Sequence, residues 1–370
     1  MPPLGLIITL VVWAAATALS LRPIRRPRRI ALAVYLITCI VGEIPQVFAV
    51  LVVASVVPTL VGDDLSSVDA AFGWTALALI LSGLSVLARR GIRARAAVDR
   101  GLHAAGLPPT RRGRSAWKVL IQPFPIRPRS IERIAGVPYG DHPRQRLDLY
   151  RRRDGSTSGP VLLYFHGGGY SGGSRHREGR ALLHHLADRG WLCLSAGYRL
   201  RPEVGLDGHL DDARRVIGWA RDHAAEHGAR PDTLVMAGSS AGAHLTSMCA
   251  LTPDESTPLA AAICLYGYYG RYYERDTDES SPSTPFGLDP SRAPAMIIAH
   301  GSLDTYTPAA LARDLAARLA GVSPGPIVHA ELPGGQHGFD VLRSWRVQAL
   351  LDGIDVLADN VLAPGAPLPE

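Results

Sequence analysis

Lysine and cysteine are both scarce in this chain. Lys118 is the only lysine among 370 residues, so arginine supplies almost all of the positive charge. The four cysteines, Cys39, Cys193, Cys249 and Cys264, are spaced neither as a zinc site nor as a disulfide framework. Three of them lie inside apolar runs, where a free thiol behaves as a small buried hydrophobe. The sequence therefore predicts neither a metal centre nor a disulfide-rich fold.

The basic excess does not indicate nucleic-acid binding. The formal net charge is +6 at pH 7, but many of the arginines cluster beside apolar segments, with five in 22–29 and five in 89–100. Arginines in such positions anchor membrane helices on the cytoplasmic side and meet anionic lipids. We therefore expect membrane lipids, and no nucleic acid, among the partners.

Charged side chains are absent from two long apolar runs near the N-terminus, 2–21 and 70–88. Each is about long enough to cross a bilayer as a helix, which takes roughly 20 residues. A third run, 30–61, is interrupted by Glu43 and Pro45. At about 1.5 Å per residue it is longer than one span needs. It must tilt, kink at Pro45, or place Glu43 against protein or water.

The charges between the apolar runs predict their orientation. Residues 22–29 and 89–100 are rich in arginine, whereas all the charged side chains of 62–69 are acidic. The positive-inside rule then gives an external N-terminus, three spans and a cytoplasmic C-terminal part. Two spans within 30–61 would place the second arginine cluster outside. A signal peptide over 1–21 is disfavoured because no positive charge precedes its apolar core. We expect a multi-pass protein of the inner membrane.

The chain divides into four parts by composition. Residues 1–100 form the membrane domain and 101–130 a proline-rich connector, which lies on the membrane surface, covers the pocket, or is a solvated linker. Residues 131–362 have the pattern of an α/β domain, and 363–370 of a flexible tail.

Strands and helices alternate in the C-terminal part. Apolar runs predict strands, and amphipathic segments between them predict helices. This alternation is typical of a mostly parallel sheet with flanking helices. The predicted strands are 145–150, 161–165, 191–196, the segment before 238, 261–266, 296–299 and 327–332. The predicted helices are 181–189, 211–227, the segment after 240, 308–320 and 343–360. Catalytic groups in such folds lie at the carboxyl ends of the strands.

Residues 233–245 contain the pattern of a nucleophile elbow. A strand-like run leads into Gly-Ser-Ser-Ala-Gly, and a helix-compatible run follows, which places Ser240 on a sharp turn. A chain with 38 glycines supplies roughly 0.3 matches to this pattern by chance. Another match, at 169–173, lacks the strand and helix. Ser240 is the candidate nucleophile, and Ser239 is the alternative.

Two further strand ends carry the partners that a nucleophilic serine needs. The strand 296–299 is followed by Asp304, and the strand 327–332 is followed by His337 on a glycine-flanked loop. The order serine, aspartate, histidine is that of α/β hydrolases. We therefore predict His337 as the base and Asp304 as the acid that orients it.

Other titratable residues near these positions are weaker candidates. Asp340 is the alternative acid, although three residues from His337 it faces Nδ1 poorly. His300 precedes the acid, and His244 lies one helical turn past the elbow, where packing explains it. His166 begins the run His-Gly-Gly-Gly after the strand 161–165 and is expected to brace the loop. The glycines of that run let backbone N–H groups face a developing oxyanion.

Five motifs together resemble the α/β-hydrolase superfamily, and within it the hormone-sensitive-lipase-like and feruloyl-esterase-like carboxylesterases. The motifs are Tyr-Phe-His-Gly-Gly-Gly at 164–169, Tyr-Arg-Leu at 198–200, Gly-Ser-Ser-Ala-Gly at 238–242, His-Gly-x-x-Asp at 300–304 and Gly-Gln-His-Gly-Phe at 335–339. The resemblance covers about 131–360. It implies a Ser240–His337–Asp304 triad and an oxyanion hole of the Gly168, Gly169 and Ala241 amides. The implied acyl-enzyme chemistry needs no cofactor.

The substrate pocket is expected near tyrosines. Tyr170 follows the glycine run, and Tyr268 and Tyr269 belong to a tyrosine-rich segment after the strand 261–266. These side chains either line a short acyl or aryl site or pack on one another.

Several functions fit these residues. Hydrolysis of small or lipid-derived carboxylic esters is the first. The alternatives are acyl transfer to an alcohol with the same triad, cleavage of an N-formyl amide as in arylformamidases, and a non-catalytic binding protein.

Overall fold

A twisted β-sheet is the centre of the C-terminal two thirds of the chain. The computed structural model describes residues 3–62, 65–111, 117–252, 258–274 and 282–362, so the predicted tail 363–370 lies outside the described residues. Among these, eight strands form one sheet in the order β1-β2-β4-β3-β5-β6-β7-β8. The strands are β1 (Ile131–Pro138), β2 (Arg146–Arg152), β3 (Val161–Phe165), β4 (Leu192–Ala196), β5 (Leu234–Ser239), β6 (Ala261–Leu265), β7 (Ala295–Gly301) and β8 (Ile327–Leu332).

Six of these strands, β3 to β8, run parallel, and β1 and β2 are antiparallel at one edge. The predicted mostly parallel α/β sheet is confirmed. The central strands β3 to β7 are buried along their whole length, which is why they read as unbroken apolar runs. The edge strand β1 was not predicted as a strand.

Helices cover both faces of the sheet. Within the described residues the helices are α1 (Leu4–Leu21), α2 (Arg28–Glu43), α3 (Pro45–Gly62), α4 (Ser67–Ile92), α5 (Ala94–Ala104), α6 (Lys118–Ile121), α7 (Arg180–Asp188), α8 (Leu206–His223), α9 (Ala241–Leu251), α10 (Ala309–Leu319) and α11 (Trp345–Val361). Helices α8, α9 and α10 contribute to the core on one face. Helices α5, α7 and α11 contribute to the core on the other.

Three helices of the described N-terminal residues are long and apolar enough to cross a membrane: α1, α3, and α4 with its continuation α5. They pack on one another through a separate apolar cluster that includes Leu10, Val52 and Leu84. The C-terminal ends of α1 and α4 meet, because Arg90 Nη1 donates a 2.8 Å hydrogen bond to the Leu21 carbonyl.

The middle apolar run 30–61 is not one continuous span but is broken beside Pro45, where a kink was one of the expected outcomes. Two helices replace it, and only α3 is long and apolar enough to cross a membrane. The break falls at Ile44, which has φ −128° and ψ 51°, because a residue before proline is excluded from the helical region. Glu43 lies against protein, where its carboxylate is 3.2 Å from Nη1 of Arg346. Both side chains are almost completely buried.

Helix α5 belongs to the core of the α/β domain, although its residues fall in the predicted membrane domain and connector. Helix α5 packs on β8 and α11, and Ala94, Val98 and Leu102 are buried in the same core as the sheet. Gly101 shows how close this contact is, since a Cβ there would lie 2.3 Å from the His329 carbonyl oxygen. Packing of the chain against the sheet therefore starts near residue 94.

Candidate active site

Ser240 sits on a strained turn between β5 and α9. Its φ of 51° and ψ of −114° lie in a region that a non-glycine residue enters only when the surroundings enforce it. Two glycines make the turn possible. A Cβ on Gly238 would lie 2.2 Å from the carbonyl of Gly242, and one on Gly242 would lie 2.0 Å from the carbonyl of Phe165. The predicted elbow geometry is present.

Ser240, His337 and Asp304 meet at the carboxyl edge of the sheet. Ser240 Oγ lies 3.0 Å from Nε2 of His337, and Nδ1 of His337 lies 2.8 Å from Oδ2 of Asp304. The acid follows β7, and the histidine lies on the loop 333–344 between β8 and α11, which we call the base loop. With the carboxylate accepting from Nδ1, Nε2 is free to accept a proton from Ser240.

Asp304 is fixed by several donors. Its Oδ1 accepts hydrogen bonds of 2.8 Å from the backbone N–H groups of Tyr306 and Thr307, and the Thr307 hydroxyl donates to Oδ2 at 3.0 Å. Burial acts to raise the pKa of Asp304, but the nearby imidazoles of His337 and His300 outweigh it and hold the net pKa well below its usual range. The acid is therefore a carboxylate throughout the neutral range.

Two tyrosine rings enclose the imidazole of His337. The ring of Tyr306 stacks on it with centroids 5.1 Å apart, and Tyr266 meets it edge-on at 4.7 Å. A third tyrosine, Tyr35 of α2, packs edge-on against Tyr306 at 4.6 Å and donates a 2.7 Å hydrogen bond to the His337 carbonyl. None of these three roles was predicted, because no local motif marks them.

The residues of the predicted oxyanion hole lie beside Ser240. Gly168, Gly169 and Ala241 line a cavity together with Ser240, and among the described residues none accepts a hydrogen bond from their amides. Gly168 has φ 113° and Gly169 has φ 58°, conformations that glycine adopts readily. The amide of Gly167 is occupied, since it donates a 2.6 Å hydrogen bond to Oε2 of Glu178.

The alternative nucleophile and acid have other partners. Ser239 is fully buried and donates a 2.6 Å hydrogen bond to Glu178. Asp340 accepts hydrogen bonds from the Tyr266 hydroxyl and, at 3.1 Å, from the Gly179 amide. Burial raises the pKa of Asp340 to about 6. Neither residue takes part in the Ser240–His337 contact.

The three other candidate histidines, His244, His166 and His300, contact groups other than the Ser240 hydroxyl. His244 lies 2.7 Å from the Tyr170 hydroxyl and 3.1 Å from the Ser283 carbonyl, and burial lowers its pKa to about 4. His166 stacks on Tyr198, and burial lowers its pKa as well. His300 lies behind the acid, 3.2 Å from Oδ2 of Asp304.

A cavity of about 1000 Å³ opens in front of Ser240. Tyr170 and Tyr268 are among its lining residues. The prediction for Tyr269 is wrong: its side chain is fully buried in the core, where a Cβ on Gly267 would lie 2.4 Å from its ring. Tyr272 and Tyr273 line the cavity in addition. Across the described residues, no group of three or more His, Cys, Asp or Glu side chains is arranged to hold a metal ion.

The sequence is similar to known hydrolases over most of its length. A family model for the alpha/beta hydrolase fold matches residues 162–340. The probable carboxylic ester hydrolase LipM of Mycobacterium tuberculosis (strain ATCC 25618 / H37Rv) is 31% identical over 393 residues, which cover 93% of this chain and 90% of LipM. This chain belongs to the α/β-hydrolase family.

Other comparisons place the α/β hydrolase among esterases. Esterase LipC of the same organism is 32% identical over 259 residues, covering 61% of this chain and 64% of LipC. The structure of Thermogutta terrifontis esterase 2 phosphorylated by paraoxon superposes with a TM-score of 0.53 at 26% identity, over 65% of this chain and 97% of that one. The predicted enzyme class, a serine hydrolase of carboxylic esters, is confirmed.

Proposed function

We propose that this α/β hydrolase is a membrane-anchored carboxylesterase that works through a Ser240–His337–Asp304 triad. The observation that carries the proposal is the unbroken chain of contacts from Ser240 Oγ through the imidazole to the buried carboxylate, with distances of 3.0 and 2.8 Å. Both are within the reach that nucleophile activation requires.

The geometry supports a two-step reaction. Ser240 Oγ attacks the ester carbonyl carbon while Nε2 of His337 takes the hydroxyl proton. The C–O bond to the alcohol then breaks, and the same nitrogen returns the proton to the departing alkoxide. In the second step water attacks the acyl-enzyme with His337 as base, which releases the carboxylic acid and restores Ser240. Asp304 holds the imidazole in the tautomer that accepts at Nε2.

The negative charge of each tetrahedral intermediate needs donors beside Ser240. We propose the amides of Gly168, Gly169 and Ala241 for this role, because these residues line the cavity with Ser240 and the described residues offer their amides no acceptor. Donors that are already oriented stabilise the oxyanion without reorganisation, which is often the largest single contribution to acyl transfer.

We propose small or lipid-derived esters as the substrate class. The cavity has a volume of about 1000 Å³, which is at the upper end of ordinary ligand sites. Tyrosine rings dominate its walls, and Arg28 and Arg177 are cations at its lining. The two mycobacterial relatives described above also carry esterase names.

We propose a membrane anchor with the hydrolase domain in the cytoplasm. The arginine-rich segment 22–29 follows α1, and the segment 89–100 begins at the end of α4. Arg25 contacts the Ser302 carbonyl of the hydrolase domain, and Arg90 contacts Leu21 beside it, so both segments lie on the side of the membrane-length helices that faces the sheet. Positive charge favours the cytoplasmic side. A reporter that is active only in the cytoplasm, fused after residue 362, tests this orientation. A signal from this reporter supports the cytoplasmic orientation, whereas a signal from a reporter that is active only in the periplasm, fused at the same position, contradicts it.

The function is tested with full-length protein in detergent and a chain-length series of p-nitrophenyl esters. Wild type should release p-nitrophenol, and Ser240→Ala should lose on the order of 10⁴-fold or more in kcat. An equally active Ser240→Ala variant would overturn the triad, and a wild type inactive on every ester would overturn the esterase proposal.

Transfer and amide cleavage are tested in the same assay. The kynurenine formamidase of Danio rerio is 30% identical over 149 residues, or 39% of this chain, which makes N-formyl amides a reasonable second substrate. Added alcohols that divert product from acid to a new ester would instead identify an acyltransferase.

A further inference from the structure

Helix α2 contacts the hydrolase domain at both of its own ends. Just before it, Arg25 donates a 3.3 Å hydrogen bond to the Ser302 carbonyl. At its C-terminal end, the Gly42 carbonyl accepts a 2.8 Å hydrogen bond from Arg346. Between these ends Arg28 and Tyr35 line the active-site cavity. With 16 residues and a length of about 24 Å, α2 therefore does not lead away from the hydrolase domain as a span would.

The inner face of α2 holds the base loop. Tyr35 donates to the His337 carbonyl at 2.7 Å, and Thr38 accepts a 3.2 Å hydrogen bond from the Gln336 side chain. Cys39 also contacts the His337 carbonyl, at 3.5 Å. The approach leaves no room at Gly338, where a Cβ would lie 2.9 Å from the Tyr35 hydroxyl. Three residues of one helix face thus fix the loop that carries the base.

The outer face of α2 is apolar and uncovered. Leu36 is 63% exposed, and Ile30, Leu32 and Ile37 are also exposed. Water is an unfavourable neighbour for so many adjacent aliphatic side chains. An amphipathic helix with arginines at its start and aliphatic residues along one face is typical of a helix that lies in the membrane interface.

A second segment with the same character borders the base loop on its other side. Residues 117–126 expose five large apolar side chains. They are Trp117, Leu120, Ile121, Phe124 and Ile126. The Pro123 carbonyl of this segment accepts a 2.6 Å hydrogen bond from the amide of Arg343 in the base loop. Its Val119 carbonyl accepts one of 3.0 Å from Gln46, at the start of α3.

These two segments lie where the membrane surface must be. The membrane-length helices α1 and α4 end beside each other at Leu21 and Arg90, and α3 starts at Pro45, directly after α2. We infer that the ends of α1 and α4 and the start of α3 lie in one plane beside the hydrolase domain. Both apolar segments are attached at that plane, so lipid is the medium that covers them.

We propose that α2 and residues 117–126 form an in-plane membrane platform that positions His337, with Tyr35 as the positioning residue. Lipid covers the outer face of the platform, and its inner face holds the base loop from two sides. The inference rests on the proposed function, since it assigns His337 as the base. Its consequence is that seating of α2 in the bilayer and the geometry of proton transfer are coupled.

The lipid contact is tested without any activity measurement. The native cysteines are all buried, so a nitroxide can be attached to full-length Leu36→Cys protein in nanodiscs of phosphatidylcholine and phosphatidylglycerol. Val322→Cys is the matched control, an aliphatic residue that is 51% exposed in the turn before β8, at the opposite end of the sheet. The label at Leu36 should relax with oxygen and be shielded from a water-soluble nickel complex, and that at Val322 the reverse. A water-exposed label at Leu36 would overturn the platform.

The coupling to His337 is tested with Tyr35→Phe in the same nanodiscs. Loss of one hydrogen bond to a carbonyl should lower kcat about three- to tenfold with KM nearly unchanged. Tyr139→Phe is the matched control, because its hydroxyl also donates to a backbone carbonyl, that of Gly197, at 2.6 Å. The control should retain kcat. Equal kcat for wild type and a folded Tyr35→Phe variant would overturn the positioning role.

A double-mutant cycle separates coupling from general damage. Leu36→Asp should unseat α2 and lower kcat. If it acts through Tyr35, the double variant should be little worse than either single variant, whereas independent effects would multiply. Multiplying effects of the two substitutions on kcat would contradict the inference.

The results also separate the platform from the esterase proposal. If Ser240→Ala is inactive but Tyr35→Phe has the kcat of wild type, the esterase proposal stands and the positioning of His337 by the platform is rejected. An inactive wild type would reject the esterase, and the nitroxide result would still decide the membrane contact.

Discussion

Glu178 accepts a 2.6 Å hydrogen bond from the hydroxyl of Ser239, the residue before the candidate nucleophile. The same carboxylate oxygen accepts a second 2.6 Å hydrogen bond, from the amide of Gly167. One buried side chain therefore joins the elbow to the loop that carries the proposed oxyanion donors. Because Gly167 precedes Gly168 and Ser239 precedes Ser240, we expect this carboxylate to help position the proposed oxyanion donors relative to the proposed nucleophile.

Removing the carboxylate should reduce catalysis more than binding. Glu178→Ala leaves two buried donors without an acceptor, and a charged hydrogen bond is worth about 1.5–3 kcal/mol. We expect kcat to fall about tenfold or more with a smaller change in KM. Glu178→Gln retains an acceptor oxygen and should recover part of the loss. Steady-state kinetics on one p-nitrophenyl ester measure all three forms, and an unchanged kcat in Glu178→Ala would reject the role.

The proposed acid can be distinguished from the histidine behind it. Asp304→Asn presents a donor to Nδ1 and favours the wrong tautomer, so kcat should fall by about 10³- to 10⁴-fold. His300 also contacts Oδ2 of Asp304, at 3.2 Å, but from the far side. His300→Gln should therefore lose less than about tenfold. Similar losses in both variants would mean that the histidine pair, and not the carboxylate alone, orients the base.

Asp340 should make stability depend on pH. Its pKa is raised to about 6 by burial, whereas an unfolded aspartate has a pKa of about 3.9. Between these values the folded state binds more protons than the unfolded state, so stability falls as pH rises from about 4 to 6 and then levels off. Asp340→Asn lacks this dependence.

The measurement is the melting temperature of both proteins at pH 4.5 and at pH 7.5. Asp340→Asn should lose the Tyr266 or Gly179 hydrogen bond at either pH, but its deficit relative to wild type should be smaller at the higher pH. A deficit that does not change with pH would mean a normal pKa for Asp340 in the folded protein, and a deficit that grows with pH would mean a lowered one; either result contradicts the prediction.

Adjacent tyrosines provide a matched test of the pocket. Tyr268 lines the cavity, whereas Tyr269 is fully buried in the core. Tyr268→Ala enlarges the cavity and should shift the preference in the ester series toward longer acyl chains. Tyr269→Ala should leave that preference unchanged and lower stability by about 3–5 kcal/mol, as large core truncations do. The reverse pattern would place the acyl group elsewhere.

The parts that sequence could predict depend on local signals. Strands β3 to β7 are continuous apolar runs, and Ser240, Asp304 and His337 each follow a strand within a few residues, beside glycines. Because β5, β7 and β8 run parallel, their carboxyl ends share one edge of the sheet, and these three residues come together there. Their catalytic roles stay predictions until the variants are measured.

The parts that sequence could not predict depend on contacts between distant residues. The Tyr35 hydroxyl and the His337 carbonyl are 302 positions apart, and no periodicity marks the pair. Tyr268 and Tyr269 look equivalent in sequence, but the turn after β6, where Tyr266 has φ 39°, directs only one toward the cavity. The strand β1 was missed because all but one of its eight residues are half-exposed or exposed and its pairing shifts register between Ile134 and Val137.

The most direct test of the triad is the site of covalent modification. Full-length protein is treated with a fluorophosphonate, digested and analysed by mass spectrometry, with His337→Ala as the comparison. We expect an adduct on Ser240 in wild type and a strongly slowed reaction in His337→Ala, because Ser240 has then lost its base. An adduct on Ser239 or elsewhere, or equal labelling rates in the two proteins, would contradict the triad.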